Sequence, residues 1–145
     1  MTEATVKQFL VWCVVFLGLY GVLSSVYHLY LTSHPRRVLV AVDTSFPMQA
    51  VWSQVPDTLT ALQEQRYTLF SLVTDKARIH PWQSKLELGY LQPYAPRSLA
   101  QMLDQHRYPE IAAADQIYVV TNAANSAALV EDKRWHIMQL QPLAP

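Results

Sequence analysis

A carboxylate and a hydroxyl follow directly after a strongly apolar stretch of this chain. Residues Val38–Val42 are all apolar and show no alternation, which is the pattern of a strand covered on both faces in the middle of a parallel sheet. Asp43 and Ser45 come next, at the carboxyl end of that predicted strand. Open α/β sheets bind their ligands at this end, so the two oxygen-bearing side chains form a candidate binding site.

The elements that must position this site alternate along the chain. Strand patterns occur at Val38–Val42, Tyr67–Thr74, Ala77–His80, Ile117–Val120 and Trp135–Leu140. Helical patterns occur at Met48–Gln65, with a break near Pro56, and at Arg97–His106 and Ala123–Val130. Pro-rich Pro81–Pro96 predicts a structured loop, and Ile111–Ala114 predicts a short connector. This order predicts an α/β domain.

The stretch VLVAVDTSFPM, Val38–Met48, resembles the first strand and loop of a von Willebrand factor type A (vWA) domain, whose signature is D-x-S-x-S. Tyr67–Trp82 resembles the second and third strands of that family, and Ile117–Ala123 resembles its fourth. The resemblance implies a small Rossmann-like domain over residues 36–145, with a mostly parallel central sheet of about five strands. The family normally continues with another helix and often a further strand, so this domain looks trimmed.

Domains of the resembling family hold a divalent cation through two Ser and one Asp of the first loop, a Thr of a later loop and an Asp after the fourth strand. Asp43 and Ser45 match, but Pro47 stands in place of the second Ser, Asn122 in place of the later Asp, and Arg97 at or near the Thr. Hard cations lose affinity as oxygen ligands are removed, so we expect no metal and no cofactor. Instead, we expect the Arg97 guanidinium to neutralise Asp43. We also expect Asn122 to form a hydrogen bond with the same group.

An uncharged apolar run precedes the domain. No charge occurs from Phe9 to Leu31, and about 20 such residues suffice for a membrane-spanning helix. We therefore predict a transmembrane helix at residues 9–33 after a tail at residues 1–8. A cleaved signal peptide is the alternative, but its apolar region would be shorter and would end in a small-residue cleavage site.

Charges near the two ends of the predicted helix bear on its orientation. Lys7 lies on the amino side, and Arg36 and Arg37 lie on the carboxyl side. The positive-inside rule therefore favours a single-pass protein of the cell (inner) membrane with a cytoplasmic domain.

Small residues recur along the predicted helix. Gly18, Gly21, Ser25 and His28 follow at spacings of three and four, so they line one stripe on which a neighbouring helix could approach closely. The stripe predicts a helical partner in the membrane. The alternative is a chance distribution of Gly and Ser, with His28 pointing to the headgroups.

The predicted loop is rich in aromatic residues. Trp82, Tyr90 and Tyr94 are of the types enriched at protein–protein interface hot spots. The same three side chains could instead cover the edge of the core, because aromatic residues dominate cores as well as interfaces.

Several functional classes find little support in the sequence. The net charge is zero and the cationic residues are scattered, which argues against nucleic-acid binding. No recognisable nucleophile motif or phosphate-binding loop occurs, so we expect neither an enzyme nor a small-molecule substrate. The sequence favours a non-catalytic accessory or assembly subunit that binds the lipid bilayer and other membrane protein subunits. The alternative is a Mg²⁺- or Mn²⁺-dependent protein-binding or adhesion module at the membrane surface.

Overall fold

The chain divides into two compact units, Met1–Pro35 and Arg36–Pro145. A computed structural model describes residues 3–124 and 132–142, with residues 3–5 described by their backbone alone. Most of the helix predicted at Ala123–Val130 lies outside these residues.

The first unit is a single apolar helix, α1, which runs from Glu3 to Ser33. Its part from Val6 to Ser33 is long and apolar enough to cross a membrane, with a mean hydropathy of 2.2 in its 18-residue apolar window. At 1.5 Å per residue this part is roughly 40 Å long, against a hydrocarbon core of roughly 30 Å. The helix begins at Glu3, inside the predicted tail of residues 1–8, because no Pro or Gly interrupts residues 3–8.

The second unit contains a five-stranded sheet in the order β3-β2-β1-β4-β5. The strands are β1 (Arg36–Val42), β2 (Thr68–Thr74), β3 (Arg78–Gln83), β4 (Gln116–Thr121) and β5 (Trp135–Gln139). All neighbouring pairs are parallel except β2 and β3, which are antiparallel. The predicted α/β class and mostly parallel sheet are therefore confirmed.

The strands predicted at Tyr67–Thr74 and Ala77–His80 are present as the antiparallel pair β2 and β3, but the second strand is longer than expected. Strand β3 continues to Gln83 and includes Pro81 and Trp82, which were predicted to lie in the following loop. The strand tolerates this Pro because β3 is at the edge of the sheet, where a backbone N–H can be missing without loss of a ladder bond.

The first helical pattern of the domain is divided between two successive helices. The pattern at Met48–Gln65 forms a 3₁₀ helix, Phe46–Gln54, followed by α2, Val55–Gln63. The change falls where Pro56 removes a backbone donor, close to the predicted break.

Two predictions between β3 and β4 were wrong. The helix predicted at Arg97–His106 is reduced to α3, Leu99–Met102, because the Asp104 carboxylate accepts a hydrogen bond from the His106 N–H and forms a turn. The connector predicted at Ile111–Ala114 is instead largely helical, as α4, Glu110–Ala113. Pro109 precedes this helix, and its fixed φ suits a helix start.

Two apolar clusters cover the two faces of the sheet. Val38, Val40 and Val42 belong to one cluster, whereas Leu39 and Ala41 belong to the other, and all five are completely buried. The prediction of a strand covered on both faces is thus confirmed. Strand β1 lies at the centre of the sheet, so its carboxyl end is surrounded by protein.

We expect Leu39→Ala to lower the free energy of unfolding of the domain by about 3 kcal/mol, since it leaves a cavity in a fully packed site. Thermal unfolding of the full chain in detergent micelles, followed by near-ultraviolet circular dichroism, measures this loss. Leu91→Ala, at a partly exposed position, is the matched control. Equal losses for the two variants would contradict the central role of β1.

Candidate functional site

The candidate site begins where β1 ends. The N–H of Asp43 donates to the carbonyl of Val120 in the neighbouring strand β4 (3.0 Å). This bond extends the ladder by one residue and brings the end of β1 against the end of β4. Asp43, Thr44 and Ser45 are all completely buried, so their polar groups need partners inside the protein.

Both oxygens of the buried Asp43 carboxylate have hydrogen-bond donors. Its Oδ2 accepts from Arg97 Nε at 2.9 Å and from Thr121 Oγ1 at 2.8 Å. Its Oδ1 accepts from the N–H of Ser45 at 2.9 Å. The ion pair expected from the sequence between Arg97 and Asp43 is present.

The guanidinium of Arg97 joins the remaining predicted residues into one cluster. Its Nε lies 3.3 Å from Ser45 Oγ, and its Nη2 donates to Asn122 Oδ1. Asn122 Nδ2 in turn donates to the carbonyl of Pro47 at 2.7 Å, so Pro47 takes part through its backbone. The structure therefore brings together all five residues at which the sequence was compared with a metal site.

The loop before α3 positions Arg97. The N–H of Tyr94 donates to the carbonyl of Thr44 (3.1 Å), and the N–H of Phe46 donates to the carbonyl of Ala95 (2.9 Å). These bonds form a short parallel bridge between Ser45 and Ala95. The loop is thus fixed to the end of β1 two residues before Arg97. This attachment limits the positions that the Arg97 side chain can reach.

A second buried carboxylate, Asp75, lies beside the first and was missed by the sequence analysis. Its Oδ1 accepts from Thr44 Oγ1 at 2.6 Å and from the Thr44 N–H at 3.2 Å. Lys76 Nζ lies 2.8 Å from its Oδ2 and also donates to the carbonyl of Pro96 (2.9 Å). Asp75 follows β2 as Asp43 follows β1, so its position after an apolar strand could have identified it.

The surroundings of Asp75 favour its ionised form. Burial opposes ionisation of this carboxyl, but the hydrogen bonds from Lys76 and Thr44 outweigh burial and lower the pKa of Asp75 below its ordinary value of 3.8. Asp75 is therefore a carboxylate at neutral pH, and each of the two strand-end carboxylates is paired with a cation of the domain.

A third ion pair extends this edge of the sheet. Arg78 Nη1 lies 2.6 Å from Oε1 of the buried Glu110. Tyr108 lies nearby, donates its hydroxyl to the carbonyl of Thr74 at 2.8 Å, and has a pKa raised by burial. Like Asp43 and Asp75, Glu110 is neutralised by a side chain of the domain itself.

The chemistry of the edge is thus that of an internally compensated polar network. Within residues 3–124 and 132–142, no group of three or more His, Cys, Asp or Glu side chains is arranged as a metal site. The guanidinium of Arg97 lies among the Asp43, Ser45 and Asn122 oxygens. In this position it supplies the positive charge that a buried carboxylate requires.

The predicted helix-packing residues are exposed on α1. Gly18 and Gly21 have open space where a side chain would extend. The Ser25 hydroxyl donates to the carbonyl of Gly21 (2.8 Å), which satisfies it within the helix. His28 lies on the same helix and is exposed.

The three aromatic residues proposed as an interface have different environments. Trp82 packs partly buried against the cluster that contains Leu39, and the Arg37 guanidinium lies 6.0 Å from its ring centre. This environment favours the alternative in which Trp82 covers the core. Tyr90 and Tyr94 are exposed, and Tyr90 lines a groove of about 420 Å³ with Trp52.

In this protein, then, a long apolar helix precedes an α/β domain whose strand-end carboxylates are ion-paired. Comparison with family models, with curated proteins and with solved structures gives no match for this chain. The functional interpretation therefore follows from the contacts described above.

We expect Arg97→Ala to lower the free energy of unfolding of the domain by about 3 kcal/mol, because it leaves the buried Asp43 carboxylate without its cation. In the Asp43→Asn background the same change should cost much less, giving a coupling energy of about 2 kcal/mol. Thermal or denaturant unfolding of the four proteins of this cycle measures it. Arg66→Ala, at an exposed arginine, is the control, and equal stability of Arg97→Ala and wild type would refute the pairing.

The stability of the domain should fall in acid, in part through Asp75. Since its folded pKa lies below the ordinary value of 3.8, the ionised carboxylate stabilises the fold above that pH, and this contribution is lost as the pH falls toward the folded pKa. Asp75→Asn should therefore be less stable at neutral pH and should flatten the acid side of the profile of melting temperature against pH. Asp57→Asn, at an exposed position, should retain the wild-type slope, and an unchanged slope in Asp75→Asn would contradict the assignment.

Proposed function

We propose that this protein is a single-pass protein of the cell (inner) membrane, and that it serves as a non-catalytic accessory or assembly subunit of a larger membrane protein complex. The observation that carries the proposal is the position of Arg97, whose guanidinium contacts both Asp43 and Asn122. In this proposal α1 anchors the protein and the α/β domain binds other subunits.

The exposure of α1 supports the membrane anchor. Between Phe9 and Tyr30 its large apolar side chains are exposed, including Phe16, Leu17 and Tyr20. Burial of apolar area is the main favourable term in folding, so a helix of this kind requires an apolar environment. A lipid bilayer matches its length and its lack of charge.

The ion-paired edge supports a vWA-like domain that works without a cation. In this interpretation Asp43 and Ser45 are retained ligands of a degenerate metal site, and Arg97 supplies the charge that a cation would supply. An arginine remains charged and is covalently held, so the conformation of the edge does not depend on cation concentration. Partner binding by such a domain is constitutive.

Two surfaces are available for binding in this proposal. On α1, the stripe of Gly18, Gly21, Ser25 and His28 would allow a neighbouring transmembrane helix to approach closely. On the domain, the exposed Tyr90 and Tyr94 lie on the loop that carries Arg97. Arg36 and Arg37, against Lys7, favour a cytoplasmic domain.

The proposal is tested by mild-detergent purification of the tagged full chain from its native membrane, followed by sizing and mass spectrometry. We expect a stoichiometric complex with other membrane proteins, formed equally well in the presence of a chelator because no cation is required. Gly18→Leu/Gly21→Leu should reduce the yield of the complex by about tenfold, since the added side chains prevent close helix packing. The matched control is Leu19→Phe/Leu23→Phe, which enlarges side chains on the opposite face of α1.

A lone monomer in native membranes would refute the accessory-subunit proposal. Saturable Mg²⁺ or Mn²⁺ binding that disappears in Asp43→Asn would instead support the metal-dependent adhesion module. Isothermal titration of the purified full chain with Mg²⁺ or Mn²⁺ measures this binding. We expect no binding heat from either cation, because Arg97 already neutralises Asp43.

A further inference from the structure

Exposed cationic residues lie at the amino ends of β1 and β2 and at the carboxyl end of the antiparallel strand β3, which is at the same edge of the sheet. Arg36 and Arg37 begin β1, Arg66 lies just before β2, and Lys85 lies two residues after β3. All four are exposed. We call this group the amino-edge basic patch.

Backbone contacts hold the members of this patch on neighbouring strands. Arg36 pairs with Thr68 in the sheet, and its N–H donates to the carbonyl of Tyr67 (2.9 Å), next to Arg66. The carbonyl of Leu86, next to Lys85, accepts from Gln63 Nε2 at the end of α2 (2.5 Å). The patch is therefore built by the fold from three separate parts of the chain.

No member of the patch forms an ion pair within residues 3–124 and 132–142. The four ion pairs of the described residues involve Lys76, Arg78, Arg97 and Arg134, and none involves a member of the patch. Two acidic residues lie close by. Glu64 is exposed and lies two residues before Arg66, and Asp115 accepts a hydrogen bond from the backbone N–H of Arg37 (2.8 Å).

The two ends of the sheet thus differ in charge compensation. At the carboxyl ends of β1 and β2, the Asp43 and Asp75 carboxylates are each paired with a cation of the domain. At the amino ends of β1 and β2, the exposed Arg36, Arg37 and Arg66 form no ion pair with another described residue. Further along the same edge, Arg134 before β5 is paired with Asp132. A surface of this kind is complementary to an anionic partner.

The course of the chain indicates which anionic partner this is. Only His34 and Pro35 separate α1 from Arg36, and an extended segment of that length spans roughly 10 Å. Two partly exposed aromatic residues lie next to the patch: Tyr67 follows Arg66 in the chain, and Trp82 lies beside the Arg37 guanidinium. Aromatic residues of these two types are enriched at membrane interfaces. Basic residues directly next to a membrane-spanning helix attract anionic lipids of the cytoplasmic leaflet.

We propose that the amino-edge basic patch binds anionic lipid headgroups through Arg36, Arg66 and Lys85. The proposal rests on the membrane anchorage proposed for α1. Each exposed cation near an anionic surface strengthens binding by about fivefold. The patch binds headgroup phosphates by charge and by hydrogen bonds from its guanidinium and ammonium groups.

The full chain, purified in mixed micelles of phosphatidylcholine and phosphatidylglycerol, tests the proposal. Native mass spectrometry counts the lipids of each type that remain bound. We expect a preference for phosphatidylglycerol that falls by at least about tenfold in Arg36→Gln/Arg66→Gln/Lys85→Gln. Added salt should weaken the wild-type preference, since it screens exposed charges.

Two controls separate position from total charge. Arg36→Lys/Arg66→Lys keeps the charges and should keep the preference. Arg107→Gln removes an exposed arginine at the opposite edge of the sheet, where its guanidinium donates to the carbonyl of Lys76 after β2, and should have less effect than Arg66→Gln. An unchanged preference in the triple variant, or equal effects of Arg66→Gln and Arg107→Gln, would overturn the proposal.

Alkaline carbonate extraction of native membranes tests the anchor separately. Retention of both wild type and triple variant supports the anchor whatever the lipid preference. Release of both refutes the anchor, and the micelle experiment then decides on the patch alone. If the full chain binds an acidic protein selectively and shows no preference for phosphatidylglycerol in the micelle experiment, the proposal that the patch binds lipid is refuted.

Discussion

The structure of the domain depends on how one buried carboxylate is neutralised. Asp43 ends the central strand β1 and is completely buried, a situation that costs several kcal/mol for an unpaired charge. Arg97, Thr121 and the Ser45 N–H satisfy its two oxygens. Arg97 comes from a loop that is distant in the chain. The need to neutralise Asp43 therefore fixes the positions of this loop, the end of β4 and the start of the 3₁₀ helix relative to one another.

Asp75 repeats the arrangement one strand away and strengthens it. Thr44 donates to Asp75, while Lys76 pairs with Asp75 and also bonds the carbonyl of Pro96, next to Arg97. The two ion pairs therefore hold the same loop from two sides. At the opposite end of the sheet, Arg36, Arg66 and Lys85 form no ion pair within residues 3–124 and 132–142, and this difference is the basis for the binding proposed there.

Much of the architecture follows from local patterns in the sequence. The uniform apolar run Val38–Val42 predicts a central strand, and β1 is indeed covered on both faces. The break in the helix near Pro56 follows from the missing donor of proline. Predictions failed where a local side-chain contact ended a periodic pattern. The helical pattern at Arg97–His106 forms a helix only over Leu99–Met102, because the Asp104 carboxylate accepts a hydrogen bond from the His106 N–H. Trp82 was placed in a loop because the segment Pro81–Pro96 is rich in proline, but an edge strand accepts Pro81.

The sequence by itself determined the long apolar helix, the α/β class and the position of Asp43 after an apolar strand, because composition and periodicity are local properties. It also suggested the pairing of Arg97 with Asp43, through a resemblance. Only the tertiary structure decided that Asp75 joins Asp43 at one edge and that Arg36, Arg66 and Lys85 gather at the other. These groupings depend on strand order and register, which join residues far apart in the chain and leave no local pattern to read.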